Sequence, residues 1–502
     1  MKKINKKAFT LIEIVVVVAV IGILVLLAVP RFIGHSERTE ITRVQHDVKV
    51  MEQKIGTIFI NGDDDFNKWG NNRKDLNQLA QDNELFEKEG VADAVDPIDG
   101  NYKVIPGEYK DKINTKLKGT FYANSHGKVY YEHGEMPGYS DEEIQGLIAE
   151  GYIPIATPED LNSIRSTDPR TYAAGTKWAT ENKVAGGLSE RYVQVANIDL
   201  SGYSEEGWAP IGTDSASRFT GTYDGGNFVI TDLEVKGAGN DYQGLFGYTN
   251  KATISNVALE DVNVTGRGHV GGLVGLANAS NISNSYVTGS VKGSGNNIGG
   301  LVGYASFRSK ISNSYATGTV TGNQYVGGLM GYADNKATIS NSHAEGSVNG
   351  AGWFAGGLVG GARESTIEKS YTTGSVTGSL YVGGLAGYAN KSNISNSYAT
   401  GTGTGNQVGG LVGNAENEST IINSYATGDV TGSTVGGLVG SASSNSNISN
   451  SYWDKETTGQ STSAEQDESF GKTTDEMKKQ TTYEGWDTNV WSIVNGDYPK
   501  LK

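Results

Sequence analysis

Residues 299–322 read GGLVGYASFRSKISNSYATGTVTG, and the same pattern returns on both sides of them. The leucine of this stretch, Leu301, stands in a column with Leu245, Leu273, Leu329, Leu358, Leu385, Leu411 and Leu438. The steps along that column are 28, 28, 28, 29, 27, 26 and 27 residues. Its isoleucine, Ile311, belongs with Ile254, Ile282, Ile339, Ile367, Ile394, Ile421 and Ile448. Eight turns at a period of 26–29 residues mark a stack of like units, each burying its apolar side against its neighbours. Within a unit, short alternating runs are separated by Gly, Asn, Ser and Thr, which is strand and turn chemistry. Segments such as Gly318-Thr319-Val320-Thr321-Gly322 hold too much glycine for a helix. The pattern therefore predicts an all-β solenoid with one coil per repeat. At about 4.8 Å per coil, eight coils make a rod of roughly 38 Å.

Further columns assign the sides of a coil. Val264, Val291, Val320, Val348, Val376 and Val430 are expected inside, with Gly403 interrupting them. The paired glycines before each leucine are expected at tight corners with φ > 0. Asn256, Asn284, Asn313, Asn341, Asn396, Asn423 and Asn450, broken by Lys369, predict an amide ladder at a turn. Tyr286, Tyr315, His343, Tyr371, Tyr398, Tyr425 and Tyr452 form an aromatic column, with Val257 in the first repeat. A packed ladder at a corner is the expectation, and His343 is then a column substitute; an exposed stripe that stacks on sugar rings is the alternative. Three outward columns flank the valines: Thr288 to Thr427, Ser290 to Asp429, and Thr265 to Thr431. Stacked hydroxyls stabilise adjacent coils, yet a regular polar face also suits a repetitive partner. Thr319, Thr402 and Thr404 are the candidate ligand residues on it.

Composition narrows the function. The chain has 502 residues, 41 Lys plus Arg, 56 Asp plus Glu and a net charge of −15, which disfavours nucleic acid as a partner. Glycine at 70 and proline at only 9 rule out collagen, and 26 tyrosines with 7 tryptophans argue against disorder. With no cysteine there is no disulfide and no thiolate chemistry.

The other end of the chain carries a different signal. Residues 1–8, MKKINKKA, hold four lysines and no acid; Phe9 to Val29 contains one charge, Glu13. A helix of 21 residues spans about 31 Å, a bilayer core, with the lysines kept on the cytoplasmic side. Ile41, Val44, Val48, Met51, Ile55 and Ile58 continue it as an amphipathic stripe. Glu13 is costly in a membrane and so needs a partner. Ala8-Phe9-Thr10-Leu11-Ile12-Glu13 resembles the processing site of type IV prepilins and pseudopilins. The resemblance implies cleavage between Ala8 and Phe9 by a prepilin peptidase and N-methylation of Phe9. It also implies that Glu13 meets the N-terminal amine of a neighbouring pilin subunit, and that Gly22 and Pro30 are helix-weakening positions. Ala8 departs from the glycine usual in the family.

Between the two ends, Lys116–Ala123 and Gly127–Glu132 read as a hairpin, similar to the last hairpin of a pilin head, and residues 140–149 read as a connecting helix opened by a capping box. Asn61, Asp63, Asp65 and Asn67 alternate as Ca²⁺ ligands do, but lack the glycine and glutamate of a calcium loop; a solvated acidic loop is expected there. The repeats GGLVGYA…ISNSYATGTVTG resemble the GLUG repeat of bacterial surface proteins. The flanks Thr157–Leu161, Asn197–Leu200, Trp208–Gly212 and Phe219–Asp224 look like the leading cap of such domains. Tyr452–Asp454 and Trp491–Leu501 look like the closing cap.

The fold expected is thus α+β and pilin-like at the N-terminus, followed by the β-solenoid. Its parts are a leader (1–8), an assembly helix (9–60), a small head and connector (61–150), a leading cap with atypical first coils (151–243), repeats (244–452) and a closing cap (453–502). No H-E-x-x-H motif and no nucleophile–base set occurs, so neither an enzyme nor a metal or other cofactor is expected. The function expected is a minor or tip pilin that displays the solenoid as an adhesin on the cell surface, passing through the cytoplasmic membrane before assembly. Its partners are other pilin subunits, the processing and methylating enzyme and an unidentified surface ligand, glycans included. A structural pilin with a passive solenoid spacer is the alternative.

Overall fold

The computed structural model describes residues 102–103, 119–123, 129–133, 139, 141–165, 187–443, 445–465 and 468–502. The chain divides into two compact units, residues 1–143 and 144–502. In the first, β1 (Tyr102–Lys103), β2 (Gly119–Ala123) and β3 (Val129–His133) form an antiparallel sheet, with Phe121 opposite Tyr131. The helix expected over 9–60 and the acidic loop at 61–67 lie outside the described residues.

The second unit is a β-solenoid. A coil contributes four short strands, for example Gln324–Gly327, Met330–Ala333, Thr338–Ser340 and His343–Gly350. Each pairs in parallel with its equivalents in the coils before and after. This gives four faces of seven, eight, eleven and fifteen strands, counted in the order in which a coil visits them. The third face has more strands than there are isoleucines, because Tyr152–Ile155, Arg191–Gln194 and Thr222–Asp224 extend it ahead of the first repeat. The leading segment also holds the short helix Pro158–Asn162. Thr157 Oγ1 accepts from the Asp160 amide and Asp160 Oδ2 accepts from the Thr157 amide, a reciprocal cap that satisfies two amides the helix cannot.

The inward columns stack in register. Ile282 pairs with Ile254 and Ile311, and Val320 with Val291 and Val348. All eight leucines and the isoleucines from Ile254 to Ile421 are fully buried. Each such side chain contributes roughly 1.5–3 kcal/mol by leaving water, and it does so against a neighbour of the same shape. Gly403 takes the valine position of its coil, paired with Val376 and Val430.

The glycine pairs have a different cause from the one expected. None of the pairs before the leucines has a positive φ. They are glycine because the coils approach backbone to backbone. A Cβ on Gly327 would sit 2.0 Å from the Met330 carbonyl oxygen, and one on Gly328 would sit 2.2 Å from that of Gly357. At one corner of the coil positive φ falls instead on side-chain-bearing residues. The corner between the third and fourth faces is left-handed in every repeat, with φ of 48–56° at Asn256, Asn284, Asn313, Asn341, Lys369, Asn396, Asn423 and Asn450. Asparagine tolerates that conformation better than most residues, which accounts for the column. The expected amide ladder is short: Asn284 Nδ2 donates to Asn256 Oδ1 (3.3 Å) and Asn256 Nδ2 to Asp224 (2.9 Å).

The corner also explains the serine that follows the left-handed residue in every repeat after the first, which the sequence reading passed over. Ser285, Ser314, Ser342, Ser370, Ser397, Ser424 and Ser451 are all buried. Turning the chain leaves an amide without a carbonyl in the next coil. The hydroxyl of the next coil's serine accepts from it, as Ser342 Oγ does from Ser314 N at 3.2 Å, and donates to the carbonyl two residues back at 2.8 Å. The chain of such bonds runs from Val257 to Ser451. Each bond spares a buried amide a desolvation penalty of about 1–3 kcal/mol.

Candidate binding surface

The fourth face carries the candidate residues. Its strands put Val291, Val320 and Val348 inside, so the residues between them point out. Thr288, Thr317 and Glu345 pair across coils, as do Ser290, Thr319 and Ser347. Thr404 pairs with Thr377 and Thr431. Thr319, Thr402 and Thr404 are exposed. Cross-coil bonding between the outward hydroxyls is sparse: among the described residues, one contact, Ser347 Oγ to Ser375 Oγ at 3.4 Å, joins two of them. The hydroxyls are therefore left largely to solvent and to whatever meets the face. The face is continuous through Tyr286–Gly293, Tyr315–Gly322 and His343–Gly350; the later coils break it into Tyr371–Thr372 and Val376–Gly378, and so on.

At the edge of this face stands the aromatic column. Tyr286, Tyr315, His343, Tyr371, Tyr398 and Tyr425 stack with centroids 4.7–5.0 Å apart and planes within 12°. His343 stacks between two tyrosines as a column member, with Nε2 3.8 Å from Glu345. The column begins at Ala258 and not at Val257, because the hydrogen-bond register sets Ala258 against Tyr286. Val257 heads the buried serine column instead. Tyr286 through Tyr398 are half-buried, while Tyr425 and Tyr452 are buried. The difference is the C-terminal segment: Trp486, Trp491 and Tyr498 pack on Tyr425, and Trp491 also meets Tyr398. Burial pushes the phenols of Tyr371 and Tyr398 above the ordinary tyrosine range. The same segment is tied down at Asp454, whose Oδ2 accepts from Tyr498 Oη (2.6 Å) and Thr474 Oγ1 (2.8 Å).

A second aromatic column was missed in the sequence. On the outer side of the first face, Tyr325, Phe354 and Tyr381 stack at 5.0 and 5.3 Å. They meet Tyr332 and Tyr388 from the second face at 4.5 and 4.7 Å. The signal was present: Tyr248, Tyr304, Tyr332 and Tyr388 each follow a column leucine by three residues. Beside them Asp334 makes a two-pronged pair with Arg363 (2.8 and 2.7 Å) and accepts from Tyr304 Oη (2.9 Å).

Among the described residues, no group of three His, Asp or Glu side chains converges as a metal site would require. No described helix is long and apolar enough to cross a membrane. Ala8, Phe9, Glu13, Gly22, Pro30, Asp63 and Asp65 fall outside the described residues.

With this geometry in hand, the likeness to known proteins falls into two parts. Residues 3–29 match the prokaryotic N-terminal methylation motif. Residues 266–292, 294–321, 322–349, 378–402 and 404–431 match the GLUG motif. The chain therefore joins a type IV pilin-like N-terminus to a GLUG-repeat β-solenoid. Over 57 residues it is 37% identical to a fimbrial protein of Pseudomonas aeruginosa and 39% identical to the type IV major fimbrial protein FimA of Dichelobacter nodosus. These matches cover 11% of this chain and 37% and 36% of the two relatives. A 100-residue stretch, 18% of this chain, is 33% identical to halomucin of Haloquadratum walsbyi, of which it spans 1%. Among solved structures, one described as an immunoglobulin A1 protease of Bacteroides ovatus aligns with 70% of this chain and 92% of its own. Its TM-score is 0.41 and its identity 20%.

Proposed function

We propose that the chain is a minor or tip subunit of a type IV pilus that displays its solenoid as an adhesin. The observation that carries this reading is the union of a methylation motif at 3–29 with a solenoid whose fourth face sets exposed hydroxyls in register from coil to coil. In this reading the leader is cut between Ala8 and Phe9, Phe9 is methylated, and Lys2, Lys3, Lys6 and Lys7 hold the N-terminus inside until then. Glu13 pairs with the amine of a neighbour's Phe9, and Gly22 and Pro30 let the helix loosen on assembly. The small sheet β1–β3 is the pilin-like head. An appendage of residues 144–502 on every subunit would crowd a helical filament, which favours a minor or tip position. Repeated weak contacts along the fourth face add as avidity.

The test replaces Thr319, Thr402 and Thr404 together by lysine. All three are exposed and, among the described residues, none of their hydroxyls bonds across coils, so the melting temperature should move by no more than about 2 °C. Attachment of cells or filaments bearing the variant should fall at least about ten-fold, the loss of roughly 1.4 kcal/mol. Full attachment by the folded variant would assign the face to structure and leave the solenoid a spacer.

A further inference from the structure

At the leading end of the solenoid, ahead of Thr265 where one threonine column begins, lies an open cleft of about 510 Å³. That volume is in the range of small-ligand sites. Glu206, Trp208, Lys236, Asn240, Asp241 and Tyr242 line it. The cleft is built and not merely left over. Lys236 Nζ donates to the Ser204 carbonyl at 2.5 Å and so pins the 204–208 loop to its strand. Asp241 pairs through both oxygens with Arg267 and accepts from the Gly268 amide at 3.1 Å, which fixes the opposite wall. Trp208 is anchored by its indole N–H on the Leu245 carbonyl.

Tyr242 is the first ring of the outer-face column on this side. It stacks on His269 at 5.3 Å and 5° and touches Tyr248 edge-on at 5.4 Å. No coil of the column precedes it, and among the described residues no ring covers its other face. Two polar groups of the same cleft are also unspent: neither the Asn240 carboxamide nor the Glu206 carboxylate makes a hydrogen bond among the described residues, and both residues are exposed. An aromatic face is electron-rich and attracts the weakly positive C–H face of a sugar ring; free acceptors and donors at its rim match hydroxyls. Asp241 is spent on Arg267 and Lys236 on backbone carbonyls and Glu234, so the unspent charge of the cleft is the Glu206 carboxylate, which opposes an anion.

We infer that this cleft binds an uncharged pyranose unit of a surface glycan, its C–H face on Tyr242 and its hydroxyls on Asn240 and Glu206. The inference rests on the adhesin reading for its biological setting, but its test does not. The full-length chain in detergent micelles is titrated, by saturation-transfer NMR, with methyl glycosides of glucose, galactose, mannose and N-acetylglucosamine, and with methyl glucuronide. At least one neutral glycoside should bind with a millimolar Kd, and the glucuronide at least ten-fold more weakly than the glucoside. Tyr242→Ala and, separately, Asn240→Ala should weaken the neutral glycoside at least ten-fold and three-fold. Tyr381→Ala, in the same column but coils away, should bind as the parent does. Asn240 is exposed and its carboxamide makes no hydrogen bond among the described residues, so its variant reports on the cleft even if Tyr242→Ala fails to fold. Binding of none of the neutral glycosides, equal binding of the glucuronide, or full binding by the Asn240→Ala variant would overturn the inference. If cells attach through the chain while no glycoside binds, the cleft falls and the adhesin stands. If glycosides bind while cells attach to nothing, the adhesin falls and the cleft stands.

Discussion

Gly318→Val should destabilise the solenoid by on the order of 4 kcal/mol or more, among the largest effects a single substitution produces. Gly318 sits in the middle of the eight-residue fourth-face strand Tyr315–Gly322, paired with Gly289 and Gly346. Its φ is +127°, a conformation β-branched residues avoid, and a Cβ there would lie 2.0 Å from the Gly289 carbonyl oxygen. The neighbouring atom is backbone, so no rotamer change relieves the clash; the coils must part. Because each coil touches only its neighbours, parting two of them splits the array into halves of unequal stability. Thermal unfolding of the solenoid unit, residues 144–502, should show a lower and broader, two-step transition. Gly239→Val is the control: nothing lies within 4 Å of a Cβ there, and its melting should match the parent. A single unshifted transition in Gly318→Val would mean that the stack is looser than its register implies.

Glu13→Ala should remove the chain from filaments while leaving it processed and in the membrane. In the proposed subunit the carboxylate of Glu13, four residues beyond Phe9, is buried at a cost of about 2.5–3.5 kcal/mol unless it is paired, and the amine of another subunit's Phe9 is the charge that pairs it. Alanine removes the cost as well as the pair, so insertion and folding persist and only incorporation is lost. Immunoblots of sheared surface material and of membranes should show at least a ten-fold fall in the first and none in the second. Equal incorporation would defeat the pairing.

How far the sequence could be read depended on which side of the coil a residue served. The leucine, isoleucine and valine columns were legible because apolar residues at a fixed period have one use, and the register places them as spaced. Residues serving the backbone were not. Ser314 and Ser342 read as turn polarity, although they are buried acceptors for amides stranded at a corner. Gly327 and Gly328 read as left-handed, although close approach of backbones is what demands them. Val257 read as a column member because it is the nearest apolar residue, whereas hydrogen bonding selects Ala258. The cleft could not be read at all: Glu206, Lys236 and Tyr242 have no common period, and only the fold of the leading coils brings them together.

The central claim is that one polypeptide is both a pilin and the carrier of the solenoid. It is tested most directly by mass spectrometry of material sheared from the cell surface. The account predicts a chain whose first residue is N-methylated Phe9, with Glu13 in the same peptide and solenoid peptides such as those spanning Leu301–Val320 in the same intact species. A mature N-terminus at any other residue, an unmethylated Phe9, or solenoid peptides separated from the N-terminal helix would contradict it.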